Sequence, residues 1–365
     1  MQFGVQMIFQ SYGYGADMTD AKVYEEEIKL AILADEVGFD HLWVVEHHFD
    51  DYSFCPDNTV FLANMAGRTK RIRLGTGAVI VPWNDPLRVA EKMALLDLLS
   101  NGRAIFGMGR GLSRMEYAPF QIDMETSRDR FDEAAPMIMN ALETGFIEGN
   151  GPYYSQPRTE IRPRPQKSFR DRTFCVTMSP DSAVAAGRLG VRQNMFTQGP
   201  WEDHRGMIDM HQAEYLRHHA GPAPIPQICD FVVCDEDASR AEDNAHKYVT
   251  CYLASLMGHY ELAGDHFKTA KGYESYGAAV DILKQLGMDE MASGYLKAHV
   301  WGTPEQCIEK IQARRKIIGN YDLNCCIRYG GMPLEAAERT MRLFGEKVIP
   351  AAKAQDAEDA RYAAE

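Results

Sequence analysis

No stretch of this chain stays apolar for the roughly 18 consecutive residues that a membrane helix requires, which excludes a membrane-spanning helix. The first residues, Met1-Gln2-Phe3-Gly4-Val5, lack the basic and apolar regions of a signal peptide and read as the start of a strand, so the expected location is cytoplasmic. Basic residues are in deficit. Against 39 Lys and Arg stand 52 Asp and Glu, a formal charge of −13, and a surface of that sign suits neither nucleic acid nor an anionic membrane. The 8 cysteines show no CxxC spacing and read as reduced, buried thiols, not a disulfide or zinc framework. A P-loop, a GxGxxG fingerprint, an HExxH pair, a Ser/His/Asp nucleophile elbow and a catalytic cysteine motif are also absent. What remains is ordinary globular composition, 45% hydrophobic and 25% charged over 365 residues, long enough to bury a large core.

Apolar, β-branched runs alternate with helical patterns along this length. Strands are expected at 3–9, 41–45, 71–81, 104–108, 173–178, 191–196, 228–234 and 322–328. Helices are expected at 24–37, 87–99, 128–143, 181–189, 204–218, 238–256 and 334–348, the first closed by Gly38. Eight strands in alternation with helices, and no hairpin signal between them, argue for a parallel sheet closed into a (β/α)8 barrel, the α/β TIM-barrel fold. Two segments exceed what a barrel needs: 149–167, irregular and rich in Gly, Pro and Tyr, and 262–300. Long excursions of this kind often carry function, as lids for example. Residues 1–350 are expected to form one domain, and the charged, alanine-rich tail 351–365 to be a fraying helix or disordered.

Catalytic groups of such a barrel sit at the C-terminal ends of its strands. The second strand ends in Glu46-His47-His48-Phe49. Adjacent side chains of an extended segment point to opposite sides, so the two histidines could share one ion only with distortion, and no further ligands are spaced to complete a metal site. Either one histidine donates or accepts a proton at the mouth, or both are structural. Gly75 and Gly77 inside the third strand mark a close approach of backbone to a ligand, or tight packing within the barrel. The fourth strand ends in Gly107-Met108-Gly109-Arg110-Gly111, where Arg110 suits a phosphate or carboxylate, or else a buried ion pair with Glu116 or Asp123. After the fifth strand, Ser179-Pro180-Asp181-Ser182 opens a helix whose free N–H groups favour a phosphate, although ordinary capping explains the same residues and Asp181 must turn away. Tyr117, Phe120, Met178 and Phe196 fit an apolar pocket or core packing equally well.

Several of these runs resemble the bacterial luciferase-like flavin monooxygenases. They are Gly38-Phe39-Asp40 through Trp43 to Glu46-His47-His48-Phe49, then Ile72-Arg73-Leu74-Gly75-Thr76-Gly77 with Pro82, Asp85-Pro86 and Ala90-Glu91. Leu96-Asp97, Ser100, Gly102-Arg103 and Phe106-Gly107-Met108-Gly109-Arg110-Gly111 continue the series, and Gly302-Thr303-Pro304-Glu305-Gln306-Cys307 and Met341-Arg342-Leu343-Phe344 complete it near the C-terminus. Each run is short; their order and spacing carry the resemblance over nearly the whole chain. It implies a (β/α)8 barrel that uses reduced FMN and O2, through a C4a-(hydro)peroxyflavin, to oxygenate a small apolar organic substrate. A separate NAD(P)H-dependent flavin reductase would supply the reduced FMN, and the chain would form a homodimer.

Carried over by position, the resemblance makes His47 the active-site histidine and sets Glu116 where the luciferase α subunit has an aspartate near the flavin. It places Arg110, Ser179 and Ser182 at the FMN phosphate, Met178 in the same loop, and Ala78 and Leu112 beside the isoalloxazine, with Gly77-Ala78 joined by a cis peptide. Departures are equally specific. Gly109 replaces the reactive cysteine of luciferase, Met178 a glutamate and Ser182 a threonine, and Phe196 departs from a tryptophan-containing strand, so aldehyde specificity is not carried over with the resemblance. Lys271-Gly272-Tyr273 resembles the mobile loop of the catalytic subunit, which makes 262–300 a lid. Three other readings remain: a deazaflavin-dependent oxidoreductase on the same barrel, a non-catalytic flavin-binding protein, and a barrel hydrolase with His47 and Glu116 as acid and base.

Overall fold

The expected strands emerge as β1 (Phe3–Met7), β2 (His41–Val44), β3 (Arg73–Thr76), β4 (Ala104–Gly109), β5 (Thr173–Val176), β6 (Arg192–Phe196), β7 (Gln227–Phe231) and β8 (Asp322–Cys326). They belong to a computed structural model that describes residues 1–269, 273, 276, 277, 280, 285 and 287–362. The strands are parallel, in the order β3-β2-β1-β8-β7-β6-β5-β4, and pairing of β3 with β4 closes an eight-stranded barrel. Phe3 and Val5 sit opposite Leu323 and Cys325 on one side, and Leu74 faces Ala104 at the seam. Buried on both faces, such strands read as continuous apolar runs instead of alternating ones.

Around them lie α1 (Asp20–Val37), α2 (Asn58–Arg68), α3 (Pro86–Leu99), α4 (Ser127–Thr144), α5 (Pro180–Leu189), α6 (Trp201–His218), α7 (Ala238–His259), α8 (Met288–Ala298), α9 (Pro304–Ile318) and α10 (Leu334–Leu343). Side chains of Thr19, Asp57, Asp85, Ser179, Asp237 and Thr303 accept first-turn N–H groups and so fix where six of these helices begin. Inside the barrel, Trp43 packs edge-on against Phe174 at 4.9 Å. A Cβ at Gly75 would stand 2.6 Å from the Trp43 ring, so Gly75 serves packing and not a ligand.

Helices α2, α8 and α9 are not among those expected, and the structure departs from the sequence reading in three further places. The strand expected at 71–81 splits at the Gly77–Ala78 peptide, which is cis, and Val79–Ile80 continues beyond it to pair with Met108 and Gly109. The strand expected at 228–234 likewise splits, and Val233–Cys234 pairs with Trp301–Gly302 outside the barrel sheet. Within the segment read as irregular, Phe146–Asn150 and Ser155–Glu160 form an antiparallel hairpin. Its strands are largely exposed on both faces and therefore lack the alternating pattern that announces a half-buried strand. Of the two forms expected for the tail, a fraying helix or disorder, the structure has the helix, as far as Tyr362. Asp356 pairs with the Met1 ammonium and with Arg315, and Lys353 Nζ lies 2.8 Å from Asp40. All eight cysteines are free thiols, and among the described residues no helix is long and apolar enough to cross a membrane.

Candidate active site

A cavity opens at the C-terminal ends of the strands, and the residues that the resemblance assigns to the site line it: His47, Gly77, Ala78, Arg110, Leu112, Glu116, Met178, Ser179 and Ser182. Beyond β2 the chain remains extended, and successive side chains diverge accordingly. His47 enters the cavity, whereas His48 packs against Trp83 and Phe120, ring centroids 5.9 and 4.8 Å away. Glu46 accepts from the Ile80 N–H at 3.0 Å and from Trp83 Nε1 at 2.6 Å, bracing the split end of β3. Asn58 donates to Val44 O and Ala78 O from the other side.

Glu116, on the helical turn Arg114–Tyr117 after β4, points back toward β2. Its Oε1 lies 3.0 Å from His47 Nδ1 and accepts the His48 backbone N–H at 2.8 Å. His259, the last residue of α7, places Nε2 3.7 Å from Glu116 Oε2 and Nδ1 2.8 Å from Asp50 Oδ2. Burial by itself pushes the Glu116 carboxyl up, yet the facing His47 and His259 hold it well below the usual carboxylate range. Burial likewise works against charge on His259, and Glu116 with Asp50 overcomes it and raises the pKa. The Tyr260 hydroxyl stands 3.3 Å from His47 Nε2, and burial keeps it protonated. Ligand atoms of His47, Glu116 and His259 lie within 4.8 Å of one another, a proximity for which this hydrogen-bonding and ion pairing accounts.

The other end of the cavity is cationic. Arg110 leaves β4 with its guanidinium 4.0 Å over the Tyr273 ring, while the Tyr273 hydroxyl donates to Gly111 O at 2.8 Å. The acids weighed as partners for Arg110 are engaged elsewhere: Glu116 with the histidines, and Asp123 with the Glu125 N–H at 3.0 Å. Ser179 and Ser182 form a reciprocal capping box at the start of α5, so ordinary capping and cavity lining coincide there. Ser182 Oγ accepts from Met178 N at 3.1 Å and Ser179 N at 3.0 Å. Asp181 does not turn fully away: its side chain is 72% exposed, yet its carboxylate reaches to 3.9 Å from Arg128 Nη2.

Arg128, in the first turn of α4, was read from the sequence only as the beginning of a helix. Its Nη2 is buried without a hydrogen-bond partner among the described residues, 3.9 Å from Asp181 Oδ2. Burial and the nearby Arg110 lower its pKa. Two guanidiniums that disfavour each other's charge, beside a helix N-terminus, suit a dianion such as a phosphate monoester. The phosphate group of a cofactor would fit this cradle.

Between the two ends the wall is apolar and rich in tyrosine, with Val176, Phe196, Phe231 and Leu256 beside Tyr52, Tyr252, Tyr276 and Tyr295. Met178 and Phe196 line the cavity. Tyr117 donates to Arg110 O, and Phe120 stacks on Trp83 at 5.4 Å, so these two serve packing. The segment 262–300 contributes Leu262, Tyr273, Tyr276 and Tyr295, and Phe267, Tyr273 and Val280 cluster against Leu112 and Met124. Lys271 and Gly272 lie outside the described residues. The hairpin, in contrast, supplies no lining residue, and its turn folds onto α4 through N–H groups of Tyr153 and Tyr154 to Glu133. Arg128, Asp50, His259 and Tyr260 escaped the sequence reading because nothing local marks them: they lie on helix ends and loops, not at strand ends.

The closed parallel barrel, with its candidate functional groups gathered at the strand C-termini, defines a (β/α)8 scaffold with a cationic end to its cavity. Residues 1–320 match the family model described as luciferase-like monooxygenase, and the chain belongs to that family. It is 28% identical to the alkanal monooxygenase alpha chain of Aliivibrio fischeri over 323 residues, 86% of this chain and 89% of that one. Among solved structures, the monooxygenase RslO1 from Streptomyces bottropensis superposes with a TM-score of 0.76 at 29% identity, covering 96% of this chain and 99% of that one. The FMN-bound oxygenating constituent of 3,6-diketocamphane monooxygenase from Pseudomonas putida has a TM-score of 0.75 at 17% identity, covering 96% and 98%. An F420-dependent secondary alcohol dehydrogenase shares the fold at 0.70 and 18% identity, covering 96% and 98%, so the scaffold alone does not select the cofactor.

Proposed function

We propose that this chain is the oxygenase component of a two-component system, using reduced FMN and O2 to place one oxygen atom on a small apolar organic substrate. The observation that carries the reading is one cavity with two chemically distinct ends, a cradle for a phosphate dianion and an imidazole–carboxylate pair. Arg110, Arg128, Ser179 and Ser182 would hold the FMN phosphate, and Gly77, Ala78, Leu112 and Met178 would border its ring. When bound, reduced FMN supplies the two electrons with which O2 yields one oxygen atom to the substrate and one to water. His47 holds or releases a proton at Nε2 while Glu116 anchors Nδ1. The tyrosine-rich wall and the Phe267–Tyr273–Val280 cluster exclude water, which is the role of a lid.

A separate NAD(P)H-dependent flavin reductase fits the lack of a dinucleotide fingerprint in this sequence. A homodimer fits the exposed apolar stripe on α2 and α3, where Val60, Leu95 and Leu99 are 66%, 44% and 52% exposed, since a self-complementary face is covered by a second copy. The F420-dependent neighbour keeps a second reading in place, hydride transfer with a deazaflavin and no oxygen. The deciding experiment titrates the flavin-free protein anaerobically with reduced FMN and with reduced F420, then admits O2. Tight binding of reduced FMN, followed by consumption of O2 and incorporation of ¹⁸O into a hydrophobic test substrate, supports the oxygenase. Binding of F420 alone, with no uptake of O2, overturns it.

A further inference from the structure

We propose that His259, held between Asp50 and Glu116, is a positioning residue for His47: it keeps Glu116 anionic, and Glu116 thereby fixes the proton of His47 on Nδ1 and leaves Nε2 open toward the cavity. This inference rests on reading His47 as the proton-handling group of the site. Its ground is a line of groups running inward from a one-third-exposed carboxylate, two hydrogen bonds joined by one ion-pair separation. Asp50 Oδ2 lies 2.8 Å from His259 Nδ1, His259 Nε2 lies 3.7 Å from Glu116 Oε2, and Glu116 Oε1 lies 3.0 Å from His47 Nδ1.

Charges alternate along that line. With both carboxylates ionised and His259 charged, the chain carries one net negative charge while His47 is neutral. A charged His259 draws on the same carboxylate that would otherwise stabilise an imidazolium at His47, so it favours the neutral, proton-accepting form. Tyr260, buried and protonated, is then the donor in its 3.3 Å contact with His47 Nε2.

His259 is also fixed in place. Its side chain is fully buried, Tyr52 stacks on its ring at 4.5 Å and 15°, and the Ser113 hydroxyl donates to its carbonyl oxygen. The titratable groups facing the line are Tyr52 from the segment after β2, Glu46 and His48 beside it, Tyr252 and Tyr260 from the end of α7, and the neighbouring Arg114–Glu261 ion pair.

The experiment follows the His47 imidazole by ¹⁵N NMR in the flavin-free protein, with His47→Gln providing the assignment. Wild type should show the Nδ1–H tautomer. In His259→Gln, the ratio of charged to neutral His47 at pH 7 should rise roughly tenfold, because a cation whose ring lies 5.3 Å from the His47 ring has been removed. Asp50→Asn sits at the accessible end and keeps His259, so it tests the same line with little risk to folding; it should move His47 in the same direction by less. A His47 signal unchanged in both folded variants overturns the proposal. Reduced-FMN affinity measured on the same samples separates the two readings. If His47 responds but no flavin binds, the flavin reading fails alone; if flavin binds and His47 does not respond, this one does.

Discussion

At the Arg110 end of the cavity two guanidiniums crowd one another beside a helix N-terminus, whereas at the His47 end carboxylates and imidazoles alternate. The first arrangement crowds two positive charges with the carboxylates of Asp132 and Asp181 nearby, and an anion that reaches it would relieve their mutual repulsion. The second is compensated from within, so protons can be redistributed there without a large change in net charge. On the proposed reading, binding and proton handling are separated along one cavity, and single substitutions should affect one without the other.

The largest expected effect tests the proton end. His47→Ala should lower the rate of product formation by about 10²-fold or more, the usual contribution of a positioned acid or base, while leaving reduced-FMN affinity within a factor of about three. Rapid-mixing assays and a binding titration on the same variant check both halves. A variant that loses flavin affinity along with rate would merge the two ends into one unit. Next comes the cationic end. Arg110→Ala should raise the dissociation constant for reduced FMN about 10- to 100-fold, as expected for loss of a charge-assisted hydrogen bond of roughly 1.5–3 kcal/mol. Arg128→Met should do the same to a smaller degree. Riboflavin, which lacks the phosphate, should bind wild type and both variants alike, and a difference there would place these arginines elsewhere than at a phosphate.

The contrast between the ends also governs what could be read from sequence. Arg110, Ser179 and Ser182 were legible because strand-end glycines and a Ser-Pro helix start are local signals that a barrel assigns to its mouth. His47 was legible for the same reason, and the divergence of His47 from His48 followed from strand geometry alone. Arg128 and His259 were not, because each comes from a helix terminus whose neighbour in space is more than 15 residues away in sequence. Arg128 meets Arg110, and His259 meets Asp50 from 209 positions along the chain. Among the elements, α2 is absent from the sequence reading although Asp57 caps it and Phe61, Leu62, Met65 and Ala66 form its buried side. The hairpin 146–160 was hidden by its two exposed faces, and the ordered tail by ion pairs with residues at the opposite end of the sequence.

A smaller effect probes the helix start shared by capping and binding. Ser182→Ala removes a hydroxyl that accepts from two backbone N–H groups, so it should cost about 1 kcal/mol of stability and weaken reduced-FMN binding only a few-fold. Thermal melts with and without flavin separate the two contributions. A loss of stability with unchanged affinity would reduce Ser182 to a cap.

The smallest effect is the pH dependence of the compensated end, and it carries a definite sign. Glu116 titrates lower in the fold than in the unfolded chain, so its contribution is complete above the unfolded carboxylate value of about 4.3 and is lost as pH falls through the folded one. His259 titrates higher in the fold, so its contribution is complete below the unfolded histidine value of about 6.5 and is lost as pH rises through the folded one. Together they place the stability maximum of this cluster between roughly pH 4.5 and 6.5. The melting temperature of the flavin-free protein should therefore decline above that window by an amount on the order of 2 °C. His259→Gln should remove the alkaline decline, because its amide cannot take up the proton that Glu116 and Asp50 stabilise, and Asp50→Asn should shrink it. An alkaline decline that survives in His259→Gln would show that other groups set it, and that the alternating line is held by packing instead of charge.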